Sequence, residues 1–116
     1  MKKQKLLKSF KHAFLGILFC LRSERNMQIH ATATVLVLLI GIYVQVTKME
    51  WLVLLLTIGG VLSLEMVNTA LEKTVDLATA ERHPLAKIAK DAAAGAVLVF
   101  SCIAVVIGLV IFIPYL

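Results

Sequence analysis

The stretch from Trp51 to Asp76, WLVLLLTIGGVLSLEMVNTALEKTVD, sets a contradiction that decides how the chain must fold. Its first fourteen residues, up to Leu64, carry no formal charge. A helix of them is about 21 Å long at 1.5 Å per residue, so Glu65 falls roughly 9 Å short of the far edge of a ~30 Å hydrocarbon core. A carboxylate at that depth costs about 2.5–3.5 kcal/mol on insertion scales, so it must face protein or a watery cleft rather than lipid. Glu65 is not alone. Asn68, Glu72 and Asp76 follow at steps of three, four and four, which at 100° per residue keeps them within about 80° of the helix circumference. The helix therefore carries one polar stripe running from membrane depth out to water.

The rest of the chain agrees with a membrane setting. Of 116 residues, 60% are hydrophobic, and the mean hydropathy is +0.93. A soluble domain of this length leaves too much surface exposed to hide so apolar a composition. Ala31–Thr47 forms another uncharged run and Ala92–Leu116 a third. The expected fold is an all-α integral membrane protein forming one domain over 1–116. It has a surface helix at about 4–26 and transmembrane helices at about 31–47, 51–72 and 88–114. Lys48-Met49-Glu50 reads as the turn between the first two spans, with Trp51 as an interfacial anchor. Pro84 suits the first turn of the last helix.

The basic start followed by AFLGILFCL (13–21) imitates a signal peptide, but RSER offers no small-residue cleavage site. An amphipathic surface helix accounts for it better. Leu6, Leu7, Phe10, Phe14, Ile17, Leu18 and Leu21 keep helical spacing, while Lys5, Lys8, Lys11 and His12 take the other side. Leu15 and Phe19 interrupt that polar side, so part of it should pack against protein.

Charge orients the molecule. The net charge is +5, with seven Lys or Arg residues in the first 25 positions and four between Lys73 and Lys90. By the positive-inside rule the N-terminus and the 73–90 loop are cytoplasmic, and the C-terminus lies outside. In this context headgroups and a nucleotide are the expected anionic partners, and nucleic acid is not. Cys20 and Cys102 read as single packing residues. Gly59, Gly60 and Gly95 permit close helix approach, and His30 reads as an interfacial residue at the start of the first span.

Carboxylates and an amide on one stripe suit Mg²⁺, which keeps several waters and takes one or two carboxylates together with substrate phosphates. Zinc is disfavoured by the want of a His/Cys cluster. Glu24, in RSERN, adds another carboxylate on the same side of the membrane. Lys90 can approach a phosphate as a point charge, or merely snorkel at a helix end. The chain has neither a GxxxxGK[ST] loop nor the protein-kinase motif set. From the residues alone, Glu65 is open to three readings: a base at a metal and anion site, a proton carrier in a small transporter, or structural glue between helices.

E-x-x-N-T-A-L-E-x-x-V-D (65–76), followed by HPLAKIAKDAAAGAVL (83–98), resembles the prokaryotic diacylglycerol kinase family. Its Asn-Thr-Ala and His-Pro-Leu-Ala-Lys forms look most like the Gram-positive undecaprenol kinase branch. The resemblance implies a homotrimer in the bacterial plasma membrane that moves the γ-phosphoryl group of ATP to a membrane lipid alcohol with Mg²⁺. The preferred acceptor is undecaprenol, and diacylglycerol is the alternative. It implies Glu65 as general base and Glu24 and Glu72 as metal ligands, with Asn68 and Asp76 in support. It also implies a nucleotide site at Lys5, His12, Glu81, Arg82, His83, Lys90 and Asp91. Lys5, His12 and Arg82 depart from the residue types common in the family, and Lys5 lacks the planar fork of an arginine.

Overall fold

A computed structural model describes residues 2–116, all of it helix and short connection. The elements are α1 (Lys2–Ser23), α2 (Arg25–Val44), α3 (Lys48–Ala78) and α4 (Pro84–Phe112), closed by a 3₁₀ turn at Ile113–Tyr115. Among the described residues α2, α3 and α4 are long and apolar enough to cross a membrane.

Each junction is set by local chemistry. Glu24 alone separates α1 from α2, with extended backbone at φ −105°, ψ 115°. Its N–H still donates to Cys20 O at 3.0 Å, while its carbonyl accepts from Gln28 N at 3.1 Å. Gln28 then turns its side-chain amide back, donating from Nε2 to Leu21 O at 3.1 Å and Arg22 O at 3.2 Å. Those carbonyls would otherwise end α1 without partners. The result is a one-residue hinge pinned by a glutamine.

The turn between α2 and α3 lies at 45–47, not at the expected 48–50, and capping explains the shift. Gln45 takes the left-handed conformation, φ 57°, and passes its N–H to Ile42 O at 3.3 Å, while Val46 N donates to Gly41 O at 3.2 Å. Thr47 then opens α3 with a reciprocal capping box: its Oγ1 accepts from Glu50 N at 3.2 Å, and its N–H donates to Glu50 Oε1 at 2.9 Å. Lys48, Met49 and Glu50 thus form the first turn of a helix. At the other end of α3, His83 Nδ1 accepts from Leu85 N at 3.1 Å and Pro84 takes the first helical position.

α3 is the axis of the protein. It packs against α1, α2 and α4, and a third (33%) of its most apolar stretch is buried, against 11% for α2 and 6% for α4. Close approach occurs at two of its contacts. The Trp51 ring lies on Gly41, where an added Cβ would sit 2.8 Å from the indole, so Trp51 packs against α2 as well as marking the helix start. Phe100 of α4 lies so directly over Gly60 that a Cβ there would enter its ring. Gly59 and Gly95 have open space instead. Val46, Leu54 and Ile111 form a small buried cluster at this Trp51 end of the bundle, and the Tyr115 hydroxyl donates to Glu50 there. Cys20 is buried and Cys102 exposed, both as free thiols. Phe19 is exposed, but Lys73 Nζ stands 5.9 Å from its ring centroid and ties α1 to α3.

Overpacking should reveal the Gly60–Phe100 contact. Gly60→Val is expected to destabilise the protein by about 1–3 kcal/mol, read as thermal unfolding in detergent micelles. Adding Phe100→Leu should recover most of that loss, and failure of the second substitution to help would refute the contact.

Candidate active site

The polar stripe of α3 sinks from water into protein. Asp76 is exposed and Glu72 is half-buried, whereas Asn68 is 6% exposed and Glu65 2%. The helix geometry that aligns the four also lets neighbours bond along it, and Asn68 Nδ2 donates to Glu72 Oε1 at 3.3 Å. Thr69, 4% exposed, returns its hydroxyl to Glu65 O at 3.1 Å and so leaves the stripe free of its own polar atom. Glu65 Oε2 and Asn68 Oδ1 are buried without a hydrogen-bond partner among the described residues. Polar oxygens in that condition are uncommon, and each costs about 1–3 kcal/mol.

Both residues open into a cavity of about 340 Å³ bounded by α2, α3 and α4. Asn26 and His30 come from α2, and Val97, Leu98 and Ser101 from α4. His30 points its Nε2 at Glu65 Oε2 from 3.7 Å, close enough to feel the charge yet too far to bond it. His30 is therefore more than an interfacial residue. Hairpin arithmetic could have found it: His30 and Glu65 lie about 24 Å and 28 Å from residue 46, the centre of the α2–α3 turn, at 1.5 Å per residue. By the same count from residue 81, the centre of the α3–α4 connection, Glu65 lies about 24 Å and Ser101 about 30 Å away, so Ser101 stands about one turn deeper.

A second cavity, about 670 Å³, lies where α3 turns into α4. Asp76, Glu81, Arg82, His83, Lys90 and Asp91 all line it. Five of the expected nucleotide residues therefore meet around one space. Lys90 Nζ bonds Asp76 Oδ1 at 2.5 Å across the two helices, and Lys87 bonds Asp91 Oδ2 at 2.6 Å along α4. These pairs are largely solvent-exposed and contribute little to stability. Lys5 and His12 stand exposed on α1 and line neither cavity.

Glu24 sits at the α1–α2 hinge with its side chain making no cap bond, two residues from cavity-lining Asn26. Among the described residues no three His, Cys, Asp or Glu side chains converge as a metal cluster. Glu72 Oε1 accepts from the Asn68 amide, and the side chains of Glu24 and Glu72 offer oxygen ligands only. That chemistry fits Mg²⁺, which needs few protein ligands when phosphates and waters complete its octahedron.

Comparison with known proteins fits this geometry. The chain is 54% identical over 112 residues to the undecaprenol kinase of Bacillus subtilis, covering 97% of this chain and 91% of that protein. It is 41% identical over 110 residues to a diacylglycerol kinase of Synechocystis, covering 94% of this chain and 63% of that one. With a diacylglycerol kinase of Haemophilus influenzae the identity is 27% over 98 residues, covering 84% of this chain and 83% of that protein. The family model for prokaryotic diacylglycerol kinase matches residues 11–112, and the chain belongs to that family.

Proposed function

We propose that the protein is an undecaprenol kinase, transferring the γ-phosphoryl group of ATP to the hydroxyl of a membrane polyprenol. One observation carries the reading: Glu65 is a buried carboxylate with an oxygen unpartnered among the described residues, facing a cavity bounded by three membrane-length helices. An acid so placed is suited to take a proton from an alcohol that never leaves the bilayer. The undecaprenol kinase of Bacillus subtilis supports the acceptor. Diacylglycerol is the second reading, favoured by the names of the Synechocystis and Haemophilus relatives.

In the reaction the acceptor oxygen attacks the γ-phosphorus while Glu65 takes the hydroxyl proton. The bond to the β,γ-bridging oxygen breaks and ADP leaves with its electron pair. Phosphoryl transfer of this kind is mainly positioning and charge neutralisation. Lys90, held by Asp76 at the cavity mouth, supplies a cation to the phosphates. Glu81, Arg82, His83 and Asp91 surround the nucleotide, and Lys5 and His12, which line neither cavity of the single chain, are assigned to it by the family resemblance. Asn68 holds Glu72 in place. Glu24 and Glu72 are the residues to hold Mg²⁺, whose charge would offset that of the phosphates.

The working form is a homotrimer in the bacterial plasma membrane, with N-terminus and site cytoplasmic, C-terminus outside and α1 on the membrane surface. Exposed apolar side chains along all three spans, and open space at Gly59 and Gly95, leave room for neighbouring helices.

Four outcomes test the reading. With γ-labelled ATP, Mg²⁺ and both lipids in mixed micelles, label should appear chiefly on undecaprenol. Glu65→Gln should lower that transfer by about 100-fold or more while raising thermal stability by ~1 kcal/mol, because a buried acid with an unpartnered oxygen becomes a neutral amide. A Glu65→Gln protein that melts lower and keeps its activity would remove Glu65 as the base. Lys90→Ala should raise the KM for ATP about 10-fold and leave the acceptor KM unchanged. Chelation should stop transfer, with Mg²⁺ restoring it and Zn²⁺ failing to.

A further inference from the structure

Two cavities share a wall. Besides the polar cavity at Glu65, the bundle contains an apolar slot of about 280 Å³ deeper between α2, α3 and α4. Two residues line both spaces, His30 and Ser101. The slot walls are small or apolar, among them Ala33, Val61, Ala104 and Gly108. Its two threonines turn inward to their own helices, Thr34 donating to His30 O at 2.8 Å and Thr57 to Val53 O at 2.7 Å. The slot is therefore dry in character until its throat.

The throat is different. Ser101 Oγ is buried with no hydrogen-bond partner among the described residues, and Glu65 Oε2 stands beyond it in the same condition. His30 Nε2, 3.7 Å from that oxygen, leaves a gap rather than a bond. Three helices thus each bring one polar atom to the end of an apolar groove. An alcohol has one donor and two acceptor lone pairs. It can donate to Glu65 Oε2 while accepting from Ser101 Oγ–H and from a proton on His30 Nε2.

We infer that the slot receives the proximal part of the acceptor's apolar chain and that His30 and Ser101 bind its hydroxyl against Glu65. The inference rests on the lipid-kinase reading above and adds the direction of entry and the specificity. At about 280 Å³ the slot has room for the proximal part of one chain, which suits an alcohol that carries a single chain directly behind its hydroxyl. Diacylglycerol branches at the next carbon and would have to leave one chain outside. His30 and Ser101 are binding residues here, and Gly108 sets the depth of the slot.

Gly108 makes the test clean, because a Cβ added there meets nothing within 4 Å. Gly108→Leu should raise the KM for undecaprenol about 10-fold or more, leave the KM for ATP unchanged, and spare phosphorylation of five-carbon prenol, which is too short to reach residue 108, about 10 Å from Ser101 along α4. Ser101→Ala and His30→Leu should raise the KM for both alcohols, and His30→Gln, which keeps an N–H donor, should restore most of the loss. An unchanged undecaprenol KM in Gly108→Leu overturns the slot while leaving the kinase intact. Native protein that labels no lipid alcohol overturns the kinase reading itself. As a check independent of any variant, undecaprenol bearing a photoreactive group on its second isoprene unit should cross-link to residues 104–108. Cross-links confined to the exposed faces of α1 and α2 would refute the slot, as would cross-links between protomers through Gly108 that place a second copy's helix in it.

Discussion

An acidic side chain in the apolar part of a membrane helix has to be enclosed by protein, and the arrangement around α3 answers that demand. Glu65 is 2% exposed because α2 and α4 close over it from two sides. The same demand accounts for α3 being the axis of the bundle while α2 and α4 keep most of their surface outward. Enclosure is built on close contacts elsewhere on the helix. Trp51 on Gly41 and Phe100 on Gly60 bring the backbones near without polar bonds, so the site is held by packing toward the Trp51 end. Glu65 Oε2, Asn68 Oδ1 and Ser101 Oγ are left without partners among the described residues.

The freedom of those atoms is the chemical content of the structure. A stability-driven design would pair Glu65 Oε2, Asn68 Oδ1 and Ser101 Oγ or replace them with apolar groups. All three remain buried and unpartnered around adjoining spaces. From Glu65 outward the stripe passes through an amide that touches Glu72 and ends at an aspartate bound to Lys90. Polarity rises along one helix from a dry slot to an open cavity. A lipid and a nucleotide, which share no solvent, can meet along such a gradient.

The helical content, the three long apolar runs and the alignment of Glu65, Asn68, Glu72 and Asp76 were all legible in the sequence, because hydropathy and the 3.6-residue period are properties of local order. Glu81, Arg82, His83, Lys90 and Asp91 were singled out through the family resemblance, and they line one cavity at the α3–α4 turn because they are neighbours along the chain. The turn before α3 was misplaced by three residues. Charge at Lys48 and Glu50 suggested a loop, whereas Thr47 and Glu50 stand in the spacing of a capping box and start a helix. Among the glycines, Gly60 does allow close approach within the chain, and Gly59, one residue before it, points to open space. A helix turns 100° per residue, and composition does not say which face meets the neighbour.

What the sequence determined alone is therefore the class of molecule and the chemistry on one helix: a membrane protein with carboxylates and an amide in register. Tertiary structure decided what that chemistry faces. His30 and Ser101 lie 35 and 36 positions from Glu65 in opposite directions, and neither carries a motif of its own. They reach the carboxylate only because two antiparallel turns bring α2 and α4 back to its level. Which atoms then remain unbonded depends on ångström-scale gaps between rigid helices. Local periodicity carries no information about those gaps.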